Sequence, residues 1–419
     1  MNGPAAVDAV TSIRRSNVSS AASAPGNAPR TDAPLRAVAA ADSSASDAPD
    51  QKSDRNDAEP SRTEHAFHRE TYGALDLGTN NCRLLLARPS RRGFRVVDAF
   101  SRIIRLGEGV SQTGRLGEPA MRRTIDALRV CAGKLARHRV RRSRLVATEA
   151  CRIAHNGTDF LARVEDEIGM AIEILTREDE ARLAGAGCAS LIDPAVDYVM
   201  VFDIGGGSSE IIWLDLSKRR SRGRHAFIDR NEAQQCMVAW ASLPVGVVTL
   251  AERFGGRHVT SDVFEAMVAD VTAMVMPFEQ RYSFATRLAG RKVHLLGTSG
   301  TVTTLAGIQL RLPRYDRNKV DGCWLAVADV QSVTSDLLSR SYEQRVAEPC
   351  IGRDRADLVL AGCAILEALL RIWPAERLRV ADRGLREGIL TSLMAEDGVL
   401  RSARRRRGGW RSRDAGGTD

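Results

Sequence analysis

Three stretches of the chain run from an apolar segment into a turn built of Gly, Ser, Thr and Asn. They are Ala74-Leu75-Asp76-Leu77-Gly78-Thr79-Asn80-Asn81, Phe202-Asp203-Ile204-Gly205-Gly206-Gly207-Ser208-Ser209-Glu210 and Leu296-Gly297-Thr298-Ser299-Gly300-Thr301. Glycine lets the backbone aim its N–H groups at a ligand, small hydroxyls add donors, and the third stretch opens a predicted helix whose N-terminus favours an anion. Any one of these reads equally well as a tight turn. Three together point to phosphate, with Gly78, Thr79, Asn80, Gly205, Gly206, Gly207, Ser208, Ser299, Gly300 and Thr301 as the candidate donors. A carboxylate beside such a turn repels phosphate unless a cation stands between them. Asp76, Asp203 and Glu210 therefore suggest Mg2+, a hard ion that bridges carboxylate and phosphate oxygens. Asp203 and Glu210 are seven residues apart across a predicted hairpin and can face one cleft. The competing reading has these carboxylates fixing the turns through bonds to backbone N–H.

The elements that must hold these turns follow from periodicity. Tyr72–Leu77, Cys82–Arg88 and Phe94–Ile104 read as a three-stranded meander, and Glu118–Arg139 as a helix with Pro119 in its first turn and Met121, Ile125, Leu128 and Leu135 on one face. A strand at Arg144–Thr148, a helix at Phe160–Gly169, a strand at Ile172–Leu175 and a helix at Glu178–Leu191 complete a first unit. The order then restarts: strands at Tyr198–Ile204, Ile211–Asp215 and Ala239–Pro244, a long helix capped by Ser261, and a strand at Lys292–Leu296 leading into the third turn. Ser217–Gln235 reads as an exposed polar loop. Two hairpins with glycine turns, each followed by helix and strand, indicate internal duplication in element order. The expected division is a leader over 1–70, units over 71–195 and 196–394, and a tail over 395–419.

The chain has 419 residues, with 61 Lys+Arg against 52 Asp+Glu and a formal charge of +9. That length allows two domains with their own cores at roughly 100–200 residues each. The leader is rich in Ala, Ser, Asp and Pro, holds 8 basic and 10 acidic residues, and reads as disordered. Seven arginines after residue 400 make the tail a candidate for nonspecific polyanion binding. The eight cysteines are scattered singly without a CxxC pair, and the seven histidines show no metal-ligand spacing, so buried thiols are expected. No window has the roughly 20 apolar residues of a membrane span, and a cytoplasmic protein without membrane contact is expected.

These motifs, in this order, resemble the exopolyphosphatase/guanosine pentaphosphate phosphatase (Ppx/GppA) family, within the superfamily of acetate and sugar kinases, heat-shock ATPases and actin. The resemblance rests on D-L-G-T-N at Asp76–Asn80, A-T-x-A-x-R at Ala147–Arg152, E-x-E-A-R-L at Glu178–Leu183, D-I-G-G-G-S-x-E at Asp203–Glu210, the loop ending at Thr301, and D-x-G-L-R-E-G at Asp382–Gly388. It implies an α/β fold of two ribonuclease-H-like (actin-like ATPase) domains facing an interdomain cleft. It implies a Mg2+-dependent hydrolase that takes terminal phosphate from polyphosphate or guanosine pentaphosphate, and a homodimer. Glu180 matches the family's general base, Arg152 the arginine that contacts the phosphate under attack, and Asp203 and Glu210 the Mg2+-associated carboxylates. The physical requirements agree, because cleaving a phosphoanhydride needs an aligned water, a base beside it and positive charge around the equatorial oxygens. The competing account of Glu178-Asp179-Glu180 is a helix N-terminus compensating its dipole. Asp179 stands where the family usually has glutamate, and Cys151 where an aliphatic residue is common. Two alternatives stay open: a phosphotransferase using the same loops, and a non-catalytic binder of polyphosphate, alarmone or nucleic acid. A strip of Arg311, Arg314, Arg317 and Lys319 around Tyr315 reads either as a guide for a polyanion or as a solvated face.

Overall fold

The computed structural model describes residues 70–90, 93–219 and 230–400. The expected leader up to residue 69 and the arginine-rich part of the tail lie outside the described residues. The first lobe opens with an antiparallel meander of β1 (Tyr72–Leu77), β2 (Asn81–Ser90) and β3 (Gly93–Ile103). It continues through α1 (Glu118–Arg137), β4 (Arg142–Ala147), the short helix α2 (Glu149–Ile153), β5 (Glu173–Ile174) and α3 (Arg177–Cys188). β4 and β5 add in parallel, giving the order β3-β2-β1-β4-β5. Helix α1 forms for the reason its periodicity gives: Ile125, Leu128 and Cys131 are buried on one face, and Pro119 occupies the first turn, where its missing N–H costs nothing.

The second lobe repeats the scheme with β6 (Tyr198–Ile204), β7 (Ser209–Asp215), β8 (Met237–Leu243), α4 (Val247–Phe254), α5 (Ser261–Tyr282), β9 (Val293–Thr298), α6 (Gly300–Gln309), β10 (Trp324–Ala326), α7 (Val359–Ile372), β11 (Arg377–Ala381) and α8 (Leu385–Glu396). Its sheet order is β10-β11-β9-β6-β7-β8. Without the antiparallel edge strand β10, this is the order of the first sheet again, with parallel pairings at β6–β9 and β9–β11. The expected α/β fold of two ribonuclease-H-like lobes is what the chain adopts. Trp213 anchors the second core, stacked on Phe284 at 4.6 Å and edge-on to Trp373 at 5.6 Å, pairings worth about 0.5–1.5 kcal/mol each beyond the area they bury.

Two local expectations are corrected. The N-cap of α5 is Thr260 and not Ser261, because the Thr260 hydroxyl accepts from the N–H of Val263. The stretch read as a loop up to Gln235 ends in a helical segment, Arg230–Gln235, with Ala233 and Cys236 buried against the second sheet. Its polar composition hid two small apolar anchors.

The lobes exchange their closing helices. Ala181 and Cys188 of α3 pack with Val201 and Ile212 of the second sheet, whereas Leu385, Ile389 and Leu393 of α8 pack with Tyr72, Ala74 and Leu85 of the first. The boundary drawn at 195/196 is thus crossed by α8. The two helices meet backbone to backbone: a Cβ on Gly388 would lie 2.0 Å from the Leu183 carbonyl, and one on Gly187 1.9 Å from the Gly384 carbonyl. Only glycine permits that approach.

Candidate active site

The paired hairpins deliver the first two turns in identical geometry. In the first lobe Asp76 lies opposite Arg83, and the N–H of Gly78 donates to the Asn81 carbonyl at 2.9 Å. In the second, Asp203 lies opposite Glu210, and the N–H of Gly205 donates to the Ser208 carbonyl at 2.9 Å. The carbonyls of both turns are drawn off by neighbouring backbone. The Asn80 carbonyl accepts from Ile104 and Arg105, and the Thr79 carbonyl from Gly107; those of Gly205 and Gly206 accept from Val247 and Val248 at the start of α4. The turns touch each other: a Cβ on Gly206 would lie 3.0 Å from Thr79 Cβ, and one on Gly207 2.7 Å from Thr79 Oγ1. Ser299 caps α6 with φ 89°, a left-handed value that is strained for serine and that holds the third turn at the same place.

All three turns, with Asp76, Glu180, Asp203 and Glu210, line one cavity of about 130 Å³ between the lobes. Four buried polar atoms on its wall have no partner: Asn80 Oδ1, Asn81 Oδ1, Ser299 Oγ and Thr304 Oγ1. Buried polar atoms are seldom left so in a native protein, and here all four belong to residues that line the cavity. Burial raises the carboxyls of Asp76 and Glu210 and pushes Asp203 up to about 6. Glu210 accepts a hydrogen bond from Ser242 at 2.9 Å. Among the described residues no three His, Cys, Asp or Glu side chains converge into a ligand cage. Separated carboxylates and orphaned amide oxygens suit Mg2+, which uses one or two carboxylates and fills its shell with water and substrate phosphate.

The three acidic residues that begin α3 have separate tasks. Glu178 pairs with Arg182 one turn on, at 2.6 Å. Asp179 closes the helix N-terminus: its N–H donates to Thr176 Oγ1 at 3.1 Å, and the Thr176 hydroxyl donates back to its carboxylate at 2.9 Å. The shorter acid at this position thus braces the Thr176 N-cap. Glu180 alone turns to the cavity, where burial pushes its carboxyl up to about 7 against the opposing pull of Arg152, and the charges of Asp76 and Asp203 add to the rise. Its Oε2 accepts from Arg152 Nη2 at 2.8 Å.

Of the residues predicted for the site, Arg152 is the one that does not reach the cavity wall. It stays on α2, bonded to Glu149 and Glu180. Two other arginines line the cavity, Arg83 and Arg355. Arg83 could have been found from the hairpin, since it occupies the register position of Glu210. Arg355 lies in turns between a short helix and α7 and carries no local signal. The strip around Tyr315 divides: Arg317 pairs with Glu387 at 2.9 Å, Tyr315 donates to Asp382 at 2.7 Å, and Arg311, Arg314 and Lys319 are exposed. All eight cysteines are free, and all but Cys323 are buried, as expected.

The chain is similar to proteins of one family. The model of the Ppx/GppA phosphatase family matches residues 86–397. Exopolyphosphatase 2 of Mycobacterium tuberculosis is 30% identical over 335 residues, covering 76% of this chain and 97% of that protein. The guanosine-5'-triphosphate,3'-diphosphate pyrophosphatase of Photobacterium profundum is 27% identical over 337 residues, 78% of this chain, which spans only 59% of that relative. Among solved structures, the Aquifex aeolicus Ppx/GppA family member superimposes with a TM-score of 0.60 at 28% identity, over 78% of this chain and 98% of that one. No helix among the described residues is long and apolar enough to cross a membrane. The chain belongs to the Ppx/GppA phosphatase family.

Proposed function

We propose that the protein hydrolyses a terminal phosphoanhydride, releasing phosphate from polyphosphate, from guanosine pentaphosphate, or from both. The observation that carries this reading is Glu180. It is a buried carboxylate with a proton affinity suited to neutral pH, on the wall of the cavity where three donor-rich turns converge. A phosphotransferase has to keep water away from the transferred group, whereas a base held beside the phosphate site serves to activate it. The names of the relatives supply both substrates, and both end in the same anhydride.

In this mechanism the terminal phosphate lies among the Thr79–Asn80, Gly206–Ser208 and Ser299–Thr301 turns, which donate to its oxygens. Arg83 and Arg355 offset its charge. Glu180 takes a proton from the water that attacks phosphorus, while the turns hold the leaving chain in line. Asp76, Asp203 and Glu210 would hold Mg2+, which, when bound, supplies Lewis-acid charge to the phosphate oxygens.

The test measures free phosphate from short polyphosphate, long polyphosphate and guanosine pentaphosphate, each with and without Mg2+. Release that requires Mg2+ supports the reading. Phosphate transfer to a second substrate without free phosphate would instead identify a phosphotransferase, and tight binding of these polyanions without turnover would identify a binder.

A further inference from the structure

Four of the five N–H groups of Arg152 are taken up by protein. Its Nε donates to Glu149 Oε2 at 3.0 Å, its Nη2 to the same oxygen and to Glu180 Oε2 at 2.8 Å each, and its Nη1 to the Leu175 carbonyl. One Nη1 N–H is left over, and the side chain is not on the cavity wall. Glu149 in turn gives its other oxygen to Arg177 at 3.0 Å. The result is a chain of alternating charge, Arg177–Glu149–Arg152–Glu180, that ends on the one acid of α3 facing the cavity.

Glu149 is the fixed point of this chain. Its side chain is only 3% exposed, and a carboxylate so buried must be paired. It lies three residues from Arg152 on the same short helix, and the Gly207 turn of the other lobe closes over it: a Cβ there would lie 3.2 Å from Glu149 Cγ. With Arg177 on one oxygen and Arg152 on the other, Glu149 has little freedom to move.

We propose that Glu149 is a positioning residue for hydrolysis: it holds Arg152 against Glu180, so that Arg152 orients the base. This rests on the hydrolase reading above. Without the Glu149 charge, the Arg152 guanidinium is free to turn its full fork onto Glu180 or to swing toward the phosphate, and in either position Glu180 loses the geometry needed to accept a proton from water. The proposed effect runs through Arg152, and that makes it separable from the packing of Glu149 under the Gly207 turn and its pair with Arg177.

The experiment uses the full chain with Mg2+ and short polyphosphate, following phosphate release and thermal melting for Glu149→Gln, Glu149→Asp, Arg152→Ala and the double variant Glu149→Gln/Arg152→Ala. Glutamine keeps the shape and removes the charge. The expected result is kcat lowered roughly tenfold or more in Glu149→Gln with KM within about twofold, partial recovery in Glu149→Asp, and no further loss when Glu149→Gln is added to Arg152→Ala, because coupled residues do not add. Wild-type kinetics in Glu149→Gln would overturn the proposal. So would losses that multiply in the double variant, or a raised KM with kcat kept in Arg152→Ala, which would place that arginine on the phosphate. A drop in melting temperature that fully accounts for the lost rate, with activity regained on cooling, would reduce Glu149 to a structural role. If the wild-type chain releases no phosphate from any substrate, the hydrolase reading itself has failed, and that outcome is visible before any variant is made.

Discussion

The two hairpins share backbone, register and turn, and they differ at the residue opposite the aspartate: Arg83 faces Asp76 in the first lobe, and Glu210 faces Asp203 in the second. One duplicated scaffold has thus been given opposite charges at equivalent positions. The first lobe adds Glu180, and its turn carbonyls are drawn off by the segment 104–107. The second lobe adds a second carboxylate, and its turn carbonyls are drawn off by the N-terminus of α4. The common part, a turn whose carbonyls are already occupied, is what any phosphate site needs. Under the proposed mechanism the difference divides the labour unevenly: the first lobe would carry the base, Arg83 and one metal carboxylate, and the second Arg355 and the other two carboxylates.

The largest test of this division removes the base. Glu180→Gln should lower phosphate release by about 10²–10⁴-fold without lowering the melting temperature, since it also removes a desolvated charge. The same residue sets a pH signature. A carboxyl raised to about 7 is protonated below that pH, so wild-type kcat/KM should fall about tenfold per unit as pH drops below 7. A limb centred near the ordinary glutamate value would assign the base elsewhere.

Next in size are two substitutions that should fail in different ways. Asp203→Asn should raise the Mg2+ concentration needed for half-maximal rate by about tenfold or more and leave the substrate KM largely unchanged. Arg83→Ala should do the converse, raising KM by about 10–100-fold, the loss of a charge-assisted bond of roughly 1.5–3 kcal/mol, at an unchanged Mg2+ requirement. If Arg83→Ala alters the Mg2+ requirement and Asp203→Asn alters KM, the division of labour between the lobes is wrong.

The parts of this site that were legible in sequence are those made by local chain geometry. A strand, a glycine turn and a strand place Asp76 and Asp203 without any long-range information, and the spacing of seven already set Glu210 across from Asp203. The role of Asp179 was not legible, because an acid that braces the N-cap and a cavity carboxylate look alike until the helix start is fixed to a residue. The exchange of α3 and α8 was hidden for a different reason. Amphipathic spacing states that a helix has an apolar face, not which sheet receives it, and only the backbone contact at Gly187 and Gly388 fixes the answer. Arg355 depends entirely on tertiary placement, and the motif of Arg152 does not show that Glu149, three residues earlier, pairs with it.

The smallest effect expected concerns what keeps the two lobes together at the mouth of the cavity. Arg105 of the first lobe grips Asp357 of the second with both Nη atoms at 2.9 Å, while its own N–H donates to Asn80 in the first turn at 3.1 Å. Asp357 is two residues from Arg355 and adjacent to Leu358, both on the cavity wall. The fork therefore ties the first turn to the segment that presents Arg355. Its side chains are 32% and 19% exposed, so screening limits it to about 1 kcal/mol, or roughly a fivefold change in kcat/KM. The choice of substitution matters here, because Arg105 has φ 48° and alanine would add backbone strain to the loss of the fork. Asparagine and aspartate tolerate that conformation, so Arg105→Asn reports the fork alone. Arg105→Asp should be worse than Arg105→Asn through repulsion with Asp357, and Arg105→Asp/Asp357→Arg should recover part of the loss. A double variant no better than Arg105→Asp would show that the pair is a passive surface contact, and that closure of the lobes depends on the touching glycine turns instead.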